Sequence, residues 1–250
     1  MTATAIGWIE PDWTAPAHVR VLSTLRGGGT STGPYASLNL AAHVGDDPHS
    51  VAANRLLLRE AAHLPAEPLW LGQVHGVEVV RHDGADAPPP RADAAYAVEP
   101  QRVCAVLTAD CLPVVFADRA GSRVGVAHAG WRGLVGGVLE ATIAALEASP
   151  ADLHAWLGPA IGPAAFEVGP EVREAYLASL AVPDTVACFV PNERGRYLAD
   201  LYGLARLVLD AAGVTSIHGG GWCTHEDAQR FYSFRREGVT GRMATLAWIA

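Results

Sequence analysis

The chain has 250 residues, of which 50% are hydrophobic and 18% charged, so it can bury a sizeable core and its composition excludes intrinsic disorder. A formal net charge of −8 would repel a phosphate backbone, which excludes nucleic acid as an expected partner. Residues 1–16 carry neither a positive n-region nor an apolar h-region, and no apolar run reaches the roughly 18 residues of a spanning helix. We therefore expect a cytoplasmic protein with no membrane partner.

The clearest helix signal follows Asp47 and Pro48, an N-cap residue and a proline at the first helical position, and continues to His63. Helical periodicity returns over 134–148, and two further helices are predicted at 171–180 and 199–212.

Short apolar, β-branched runs bounded by Gly, Pro or Asp predict the strands. They are residues 19–25, 68–74, 77–82, 102–109, 113–118, 123–129 and 215–220. Several of these runs follow one another without an intervening helix, which favours an α+β fold, with mixed β-sheets flanked by helices, over a doubly wound one.

The organisation of the chain indicates a single domain spanning residues 1–250. No repeat of about 20 to 50 residues is visible, and the Pro-rich run 88–90 is too short for an interdomain linker. The four cysteines are too few for a disulfide scaffold and form no CxxC pair. Each is therefore expected to be either a buried apolar residue or a reactive thiol.

Three segments combine an apolar strand with a metal-type ligand and a nearby glycine or proline: WLGQVHG, AVLTADCLP and VGVAHAGWRG. They supply His75, Cys111 and His128, a set of two imidazoles and a thiolate that suits zinc. Three protein ligands with a fourth position open are typical of catalytic zinc, and Asp110 could orient a ligand or handle a proton. Taken singly, each residue is as well explained as a core cysteine, a hydrogen-bonded histidine or a turn aspartate.

A second group of residues is suited to anions and planar bases. Arg26 opens the glycine-rich segment 26–33, which could also be a plain turn, and Arg132 precedes a predicted helix but could form a surface salt bridge. Arg235 and Arg236 lie among aromatics that could stack a base or belong to the core. His43 could contact substrate or merely lead into the first helix.

Taken together, the motifs resemble the YfiH family, also called the laccase-domain or DUF152 family. The matching segments occur in order along nearly the whole chain: SLNLAAHVGDD, NRLLL, WLGQVHG, VLTADCLPVVFAD, VAHAGWRGLVGGVLE, WLGPAIGPAAFEVGPEV, ADL and FYSFRREGVTGRMATLAWI. The resemblance implies an α+β fold related to the catalytic domain of the cytotoxic necrotizing factor toxins, and a zinc or copper site at His75, Cys111 and His128.

The activity implied by this resemblance is phosphorolysis of adenosine, inosine and methylthioadenosine, with adenosine deamination as a further reaction. Purine nucleosides and phosphate would then be the partners, and the arginines at 26 and 132 could position phosphate while the aromatic segment with Arg235 and Arg236 holds the base. Bacterial relatives are also linked to editing of misincorporated peptidoglycan residues.

Three alternatives stay open at this point. Cys111 could be the nucleophile of a cysteine hydrolase acting on amides or peptidoglycan precursors, with His128 as base. A copper polyphenol oxidase is disfavoured because the chain has only Met1 and Met243 and no dense histidine motif. A non-enzymatic binding module would have a closed metal shell, with Cys223 as the candidate fourth ligand. The sequence does not indicate an oligomeric state.

Overall fold

The computed structural model describes residues 5–84, 88–180 and 182–250. The helices of these residues are α1 (Pro48–Ala61), α2 (Trp131–Gly136), α3 (Val138–Ala145), α4 (Pro170–Ser179), α5 (Leu201–Ala211) and α6 (Phe234–Glu237). The strands are β1 (Trp8–Ile9), β2 (Val19–Thr24), β3 (Val79–Arg81), β4 (Ala94–Ala97), β5 (Cys104–Thr108), β6 (Leu112–Asp118), β7 (Val124–Ala129), β8 (Leu153–Leu157), β9 (Glu167–Val168), β10 (Phe189–Pro191), β11 (Tyr197–Ala199), β12 (Ser216–Gly219) and β13 (Met243–Ile249).

The strands form two main sheets and a small one. A six-stranded sheet has the order β12-β8-β6-β7-β4-β3, a four-stranded sheet has the order β1-β2-β13-β5, and β10-β11-β9 form the third. The pairs β12–β8 and β3–β4 are parallel, whereas the other pairs of the large sheet are antiparallel. The prediction of an α+β fold with mixed sheets is confirmed.

The two main sheets pack face to face, and helices cover their outer faces. In β6, Val114 and Phe116 point to the core shared with α3 and α5, while Val115 and Ala117 point to the core shared with the four-stranded sheet. A third core lies between the far face of the four-stranded sheet and α1, where Leu58 is fully buried. Because β6 is buried on both faces, its sequence is continuously apolar and does not alternate.

The first predicted helix is confirmed, since the Asp47 carboxylate accepts hydrogen bonds from the backbone N–H groups of His49 and Ser50 and so caps α1. The prediction of one helix over 134–148 was wrong. Gly137 adopts φ +100°, a left-handed conformation that glycine tolerates, and this residue separates α2 from α3.

The predicted strand at 68–74 was also wrong. This segment makes a single bridge, between Leu69 and Cys104, and the Gln73 side chain then bonds both backbone groups of Leu107. Sequence reasoning missed β4, β8 and β13, whose alanines and tryptophans gave no run rich in β-branched residues. Among the described helices, none has the length and apolar character needed to cross a membrane.

Candidate metal and substrate site

The three proposed ligands come from different parts of the fold and meet at one place. His75 follows the extended segment after Gln73, Cys111 lies in the turn between β5 and β6, and His128 lies near the end of β7. Their ligand atoms are all within 4.8 Å of one another, and Cys111 Sγ is 3.9 Å from Nε2 of His75. The imidazole rings of His75 and His128 meet edge to face, with their centroids 4.8 Å apart.

The backbone around two of these ligands is held in an unusual conformation. His75 has φ +61° and Asp110, which precedes Cys111, has φ +92°. Left-handed conformations are uncommon for residues with a side chain and recur at functional sites, where the surrounding structure must hold them. Here they turn the chain sharply where it delivers His75 and Cys111.

The buried carboxylate of Asp93 holds His128 and the loop that carries His75 by hydrogen bonds. Its Oδ1 accepts hydrogen bonds from Nδ1 of His128 at 2.8 Å and from the backbone N–H of His75 at 2.9 Å. Its Oδ2 accepts from the backbone N–H groups of Val74 and Gly76. Sequence reasoning missed Asp93, because a single aspartate before an alanine-rich strand carries no distinctive signal.

Charges within the group perturb its acid–base properties. Burial raises the pKa of the Cys111 thiol, but the positive charge and hydrogen bonds of His128 and His75 outweigh burial and lower that pKa to about 6. Burial lowers the pKa of His128, but Cys111 and Asp93 outweigh it and raise that pKa to about 9. The protein therefore favours the thiolate form of Cys111 at neutral pH, the form that binds metals.

The residues present fit a zinc ion. Nδ1 of His128 is engaged by Asp93, which leaves its Nε2 for a metal, and carboxylates in this position are a usual support for zinc-binding histidines. Cys223 is not part of the group, since its Sγ accepts a hydrogen bond from the backbone N–H of Gly162. Within the described residues the ligand set thus has three members, the number typical of a catalytic site.

The ligand group forms part of the wall of a cavity of about 220 Å³. The other lining residues come from the β5 end, the loop before α1 and the C-terminal segment: His43, Gln73, Leu107, Thr108, Ala109, Phe234 and Arg242. Phe234 is 57% exposed and presents its ring at this cavity. Arg242 and Gln73 were missed as site residues because nothing in the sequence distinguishes them from neighbouring arginines and amides. Phe234 belongs to the aromatic segment that the sequence suggested for holding a base, although it was not singled out there.

The structure brings His43 to the cavity but does not bring Arg26 there. Nε and Nη1 of Arg26 donate to backbone carbonyls, and its charge is paired with Glu237 at 2.8 Å. In the glycine-rich segment, the backbone N–H groups of Gly29 and Thr30 are bonded to side chains of the protein itself. This geometry argues against a phosphate site at Arg26.

The remaining predicted arginines also lie outside the cavity lining. Arg236 donates to the backbone carbonyls of Thr224, His225 and Phe231 and to Glu237. Arg235 is exposed and donates to the carbonyl of Glu167, and Arg132 is exposed and stacked over Trp131. Arg236 therefore joins neighbouring loops, and Arg132 and Arg235 lie on the surface outside the cavity lining. The substrate contacts expected of these arginines stay a prediction.

Asp110 lies beside the site with its carboxylate turned into the protein. Oδ1 accepts a hydrogen bond from the Thr224 hydroxyl at 2.6 Å, and Oδ2 accepts one from the backbone N–H of Arg235 at 2.7 Å. Both oxygens are thus engaged in joining the Cys111 turn to the C-terminal segment. This arrangement supports a positioning role for Asp110.

The fold and the site together define an α+β protein with two packed sheets and a three-residue His–Cys–His group on a cavity wall. Residues 20–250 match the sequence profile of a family described as multi-copper polyphenol oxidoreductase laccase. A purine nucleoside phosphorylase from Pseudomonas aeruginosa is 54% identical over 97% of this chain and 98% of its own. The purine nucleoside phosphorylase YfiH of Escherichia coli is 51% identical over 96% and 98%.

Solved structures agree with these sequence comparisons. A DUF152 protein from Neisseria meningitidis superposes with a TM-score of 0.92 at 48% identity, covering 97% of this chain and 98% of that one. YlmD from Geobacillus stearothermophilus gives a TM-score of 0.87 at 33% identity, with 93% and 92% covered. The chain belongs to the YfiH (DUF152) family.

Proposed function

We propose that this protein is a zinc-dependent purine nucleoside phosphorylase whose reactive site contains His75, Cys111 and His128. The observation that carries the proposal is the convergence of these side chains, supported by Asp93, on the wall of a cavity. Relatives that bear the name purine nucleoside phosphorylase match almost the full length of the chain at about half identity. Adenosine, inosine and methylthioadenosine are the substrates we propose.

In phosphorolysis the bond between C1′ of the sugar and N9 of the purine breaks, and a phosphate oxygen bonds to C1′. The electron pair of the broken bond leaves with the purine, which takes the proton carried by hydrogen phosphate. The products are free base and ribose 1-phosphate, or 5-methylthioribose 1-phosphate when the substrate is methylthioadenosine. A bound zinc ion would supply a Lewis acid beside the reacting groups. The protein's own part is to hold the two substrates in line and exclude competing water.

Several groups of the chain serve that purpose. Asp93 fixes the orientation of His128 and the loop that carries His75, so that the ligand set is preorganised. The exposed ring of Phe234 offers a flat apolar face on which a purine can stack. Adenosine deamination, in which water replaces the 6-amino group and ammonia leaves, is proposed as a side reaction of the same site.

Zinc fits the described chain better than an electron-transfer copper centre. Such copper sites commonly add a weak axial methionine to a His₂Cys set. Met243 is fully buried in the core, and its sulfur accepts a hydrogen bond from the backbone N–H of Tyr232. The copper polyphenol oxidase alternative therefore has no support from this residue.

A second candidate function rests on the contacts among Cys111, His128 and Asp93. Cys111, His128 and Asp93 form a thiol–imidazole–carboxylate chain, the arrangement of a cysteine hydrolase with Cys111 as nucleophile and His128 as base. Amides or peptidoglycan precursors would be its substrates. A metal-independent acyl-enzyme trapped on Cys111 would favour this candidate.

The deciding experiment is an assay of base release. Purified zinc-loaded protein is incubated with adenosine, inosine or methylthioadenosine, with and without phosphate, and free base, ribose 1-phosphate and deaminated product are quantified. We expect phosphate-dependent base release that is lost in Cys111→Ala and retained in the matched control Cys188→Ala. Equal base release by wild type and Cys111→Ala, or none by either, would overturn the proposal.

A further inference from the structure

Arg242 places its guanidinium at the cavity wall, with Cζ 5.7 Å from the centroid of the Phe234 ring. Its Nη1 donates to the backbone carbonyls of Thr240 and Gly241 at 2.9 and 3.0 Å. Within the part of the chain that the structure describes, Nε and Nη2 have no hydrogen-bond partner and no carboxylate lies within ion-pair distance of the group. Burial lowers the pKa of Arg242 and outweighs Cys111 and Asp110, which lie near enough to raise it, and neither of them forms an ion pair with the guanidinium. The open edge of this partly buried group is therefore suited to an anion from solution.

The surroundings of Arg242 also favour an anion through one neutral donor and one further positive charge. His43 lines the same cavity, and its pKa is lowered by burial and then by the positive charges of Arg242 and Arg55. A neutral imidazole keeps one N–H with which it can donate to an anion. The Arg55 guanidinium is held over the Trp70 ring and donates to the carbonyl of Leu40, so it adds charge without occupying the cavity.

The other arginines near the C-terminal segment that were considered above do not line this cavity. Arg26 and Arg236 share the carboxylate of Glu237, and Arg235 donates outwards to the carbonyl of Glu167. Among the described arginines, Arg242 is the one that lines the cavity together with His75 and Cys111.

We propose that Arg242, with His43 beside it, binds the phosphate that attacks the nucleoside. The identity of the anion rests on the proposed function, whereas the existence of an oxyanion site rests on the geometry alone. The two N–H donors on the open edge of the guanidinium, Nε and Nη2, match two oxygens of a phosphate, and the position beside the proposed metal ligands lets a third oxygen face the sugar. Arg242 thus takes the role that the sequence suggested for Arg26 and Arg132.

The test compares Arg242→Gln, Arg242→Lys and His43→Gln with wild type and with the control Arg119→Gln. This control removes the same charge from a side chain that is 68% exposed, follows β6 at the end opposite Cys111 and does not line the cavity. The KM for phosphate and the KM for inosine are measured separately. We expect Arg242→Gln to raise the phosphate KM about tenfold to a hundredfold, with inosine KM nearly unchanged. Arg242→Lys and His43→Gln should give smaller increases, and Arg119→Gln none.

A structural role of Arg242 gives a different result. If its bonds to Thr240 and Gly241 were its whole contribution, both KM values and the melting temperature would change together, and Arg242→Lys would not restore phosphate affinity. An unchanged phosphate KM in folded Arg242→Gln, or an equal change in Arg119→Gln, would also overturn the proposal.

A binding measurement tests the oxyanion site independently of phosphorolysis. Inorganic phosphate and inosine 5′-monophosphate are each titrated calorimetrically into zinc-loaded wild type and Arg242→Gln. Saturable phosphate binding that is lost in Arg242→Gln upholds the site even if wild type shows no phosphorolysis. Absence of phosphate binding, or monophosphate binding with an unchanged phosphate KM in Arg242→Gln, overturns the assignment to free phosphate.

Discussion

The imidazole Nδ1 of His128 donates a hydrogen bond to Oδ1 of Asp93 across 2.8 Å, and both side chains are buried. The same carboxylate accepts the backbone N–H of His75. One buried anion therefore sets both the ring orientation of one proposed metal ligand and the backbone position of another. Two ligands that lie far apart in the sequence are linked through Asp93.

Asp93→Asn should weaken zinc binding about tenfold to a hundredfold. The carboxylate accepts four hydrogen bonds, from His128 and from the backbone N–H groups of residues 74–76, and an amide cannot accept all four. The amide also no longer balances the charge on His128. The zinc affinity of purified variant and wild type is measured by competition with a chromophoric chelator. Unchanged zinc affinity in a folded Asp93→Asn protein would contradict the supporting role of this carboxylate.

Gly130→Ala should disturb the ligand group without unfolding the protein. A Cβ atom at Gly130 would lie 2.9 Å from Cys111 Sγ and 3.2 Å from Cδ2 of His75, while the backbone φ of −61° is permitted to alanine. We expect weaker zinc binding and reduced activity with a nearly unchanged melting temperature. Gly27→Ala is the matched control, since no atom lies within 4 Å of its added Cβ. Equal zinc affinity in both variants would count against the geometry of the site.

Zinc should protect Cys111 from alkylation. Cys111 lines the cavity, whereas Cys104 is fully buried and its thiol should stay unreactive in the folded protein. Iodoacetamide treatment followed by peptide mass spectrometry is expected to modify Cys111 after chelation but much less in zinc-loaded protein. Equal modification of Cys111 in both preparations would exclude its sulfur as a zinc ligand.

Glu237 should make the stability of the fold depend on acid pH. Burial raises its pKa, but hydrogen bonds from Thr240, Arg26 and Arg236 outweigh burial and lower the pKa from 4.5 to about 2. Its contribution, on the order of 2 kcal/mol after allowance for its partial exposure, is complete above pH 4.5 and is lost as the pH falls towards 2.

Urea unfolding between pH 3 and 7 measures this contribution. We expect the free energy of unfolding of Glu237→Gln to lie below that of wild type near neutral pH and to approach it as the pH falls. A constant difference across the whole range would show that the lost stability does not arise from the charge of Glu237.

The sequence singled out the three proposed metal ligands because each of them lies next to an apolar strand and a glycine or proline. This pattern can be recognised without knowledge of the sheet order. It did not indicate Asp93, whose importance depends on hydrogen bonds to His128 and to a loop distant in sequence. Nor did it separate Arg242 from Arg26, since both follow or precede glycines and only packing decides which guanidinium faces the cavity.

The fold class could also be predicted from local sequence signals. Strand runs without intervening helices already excluded a regular βαβ chain, and the Asp47 cap marked α1. The sheet order could not be predicted, because β13 at the C-terminus inserts between β2 and β5, a long-range pairing with no local signature. The break at Gly137 was missed because glycines are tolerated within helical periodicity.

We expect phosphorolysis to depend on a single zinc ion held by His75, Cys111 and His128. Demetallated protein is titrated with zinc while bound zinc and phosphate-dependent cleavage of inosine are followed together. We expect both signals to rise in proportion and to saturate together at one equivalent per chain, and Cys111→Ala to show neither. Full phosphorolysis by protein freed of metal would contradict this expectation.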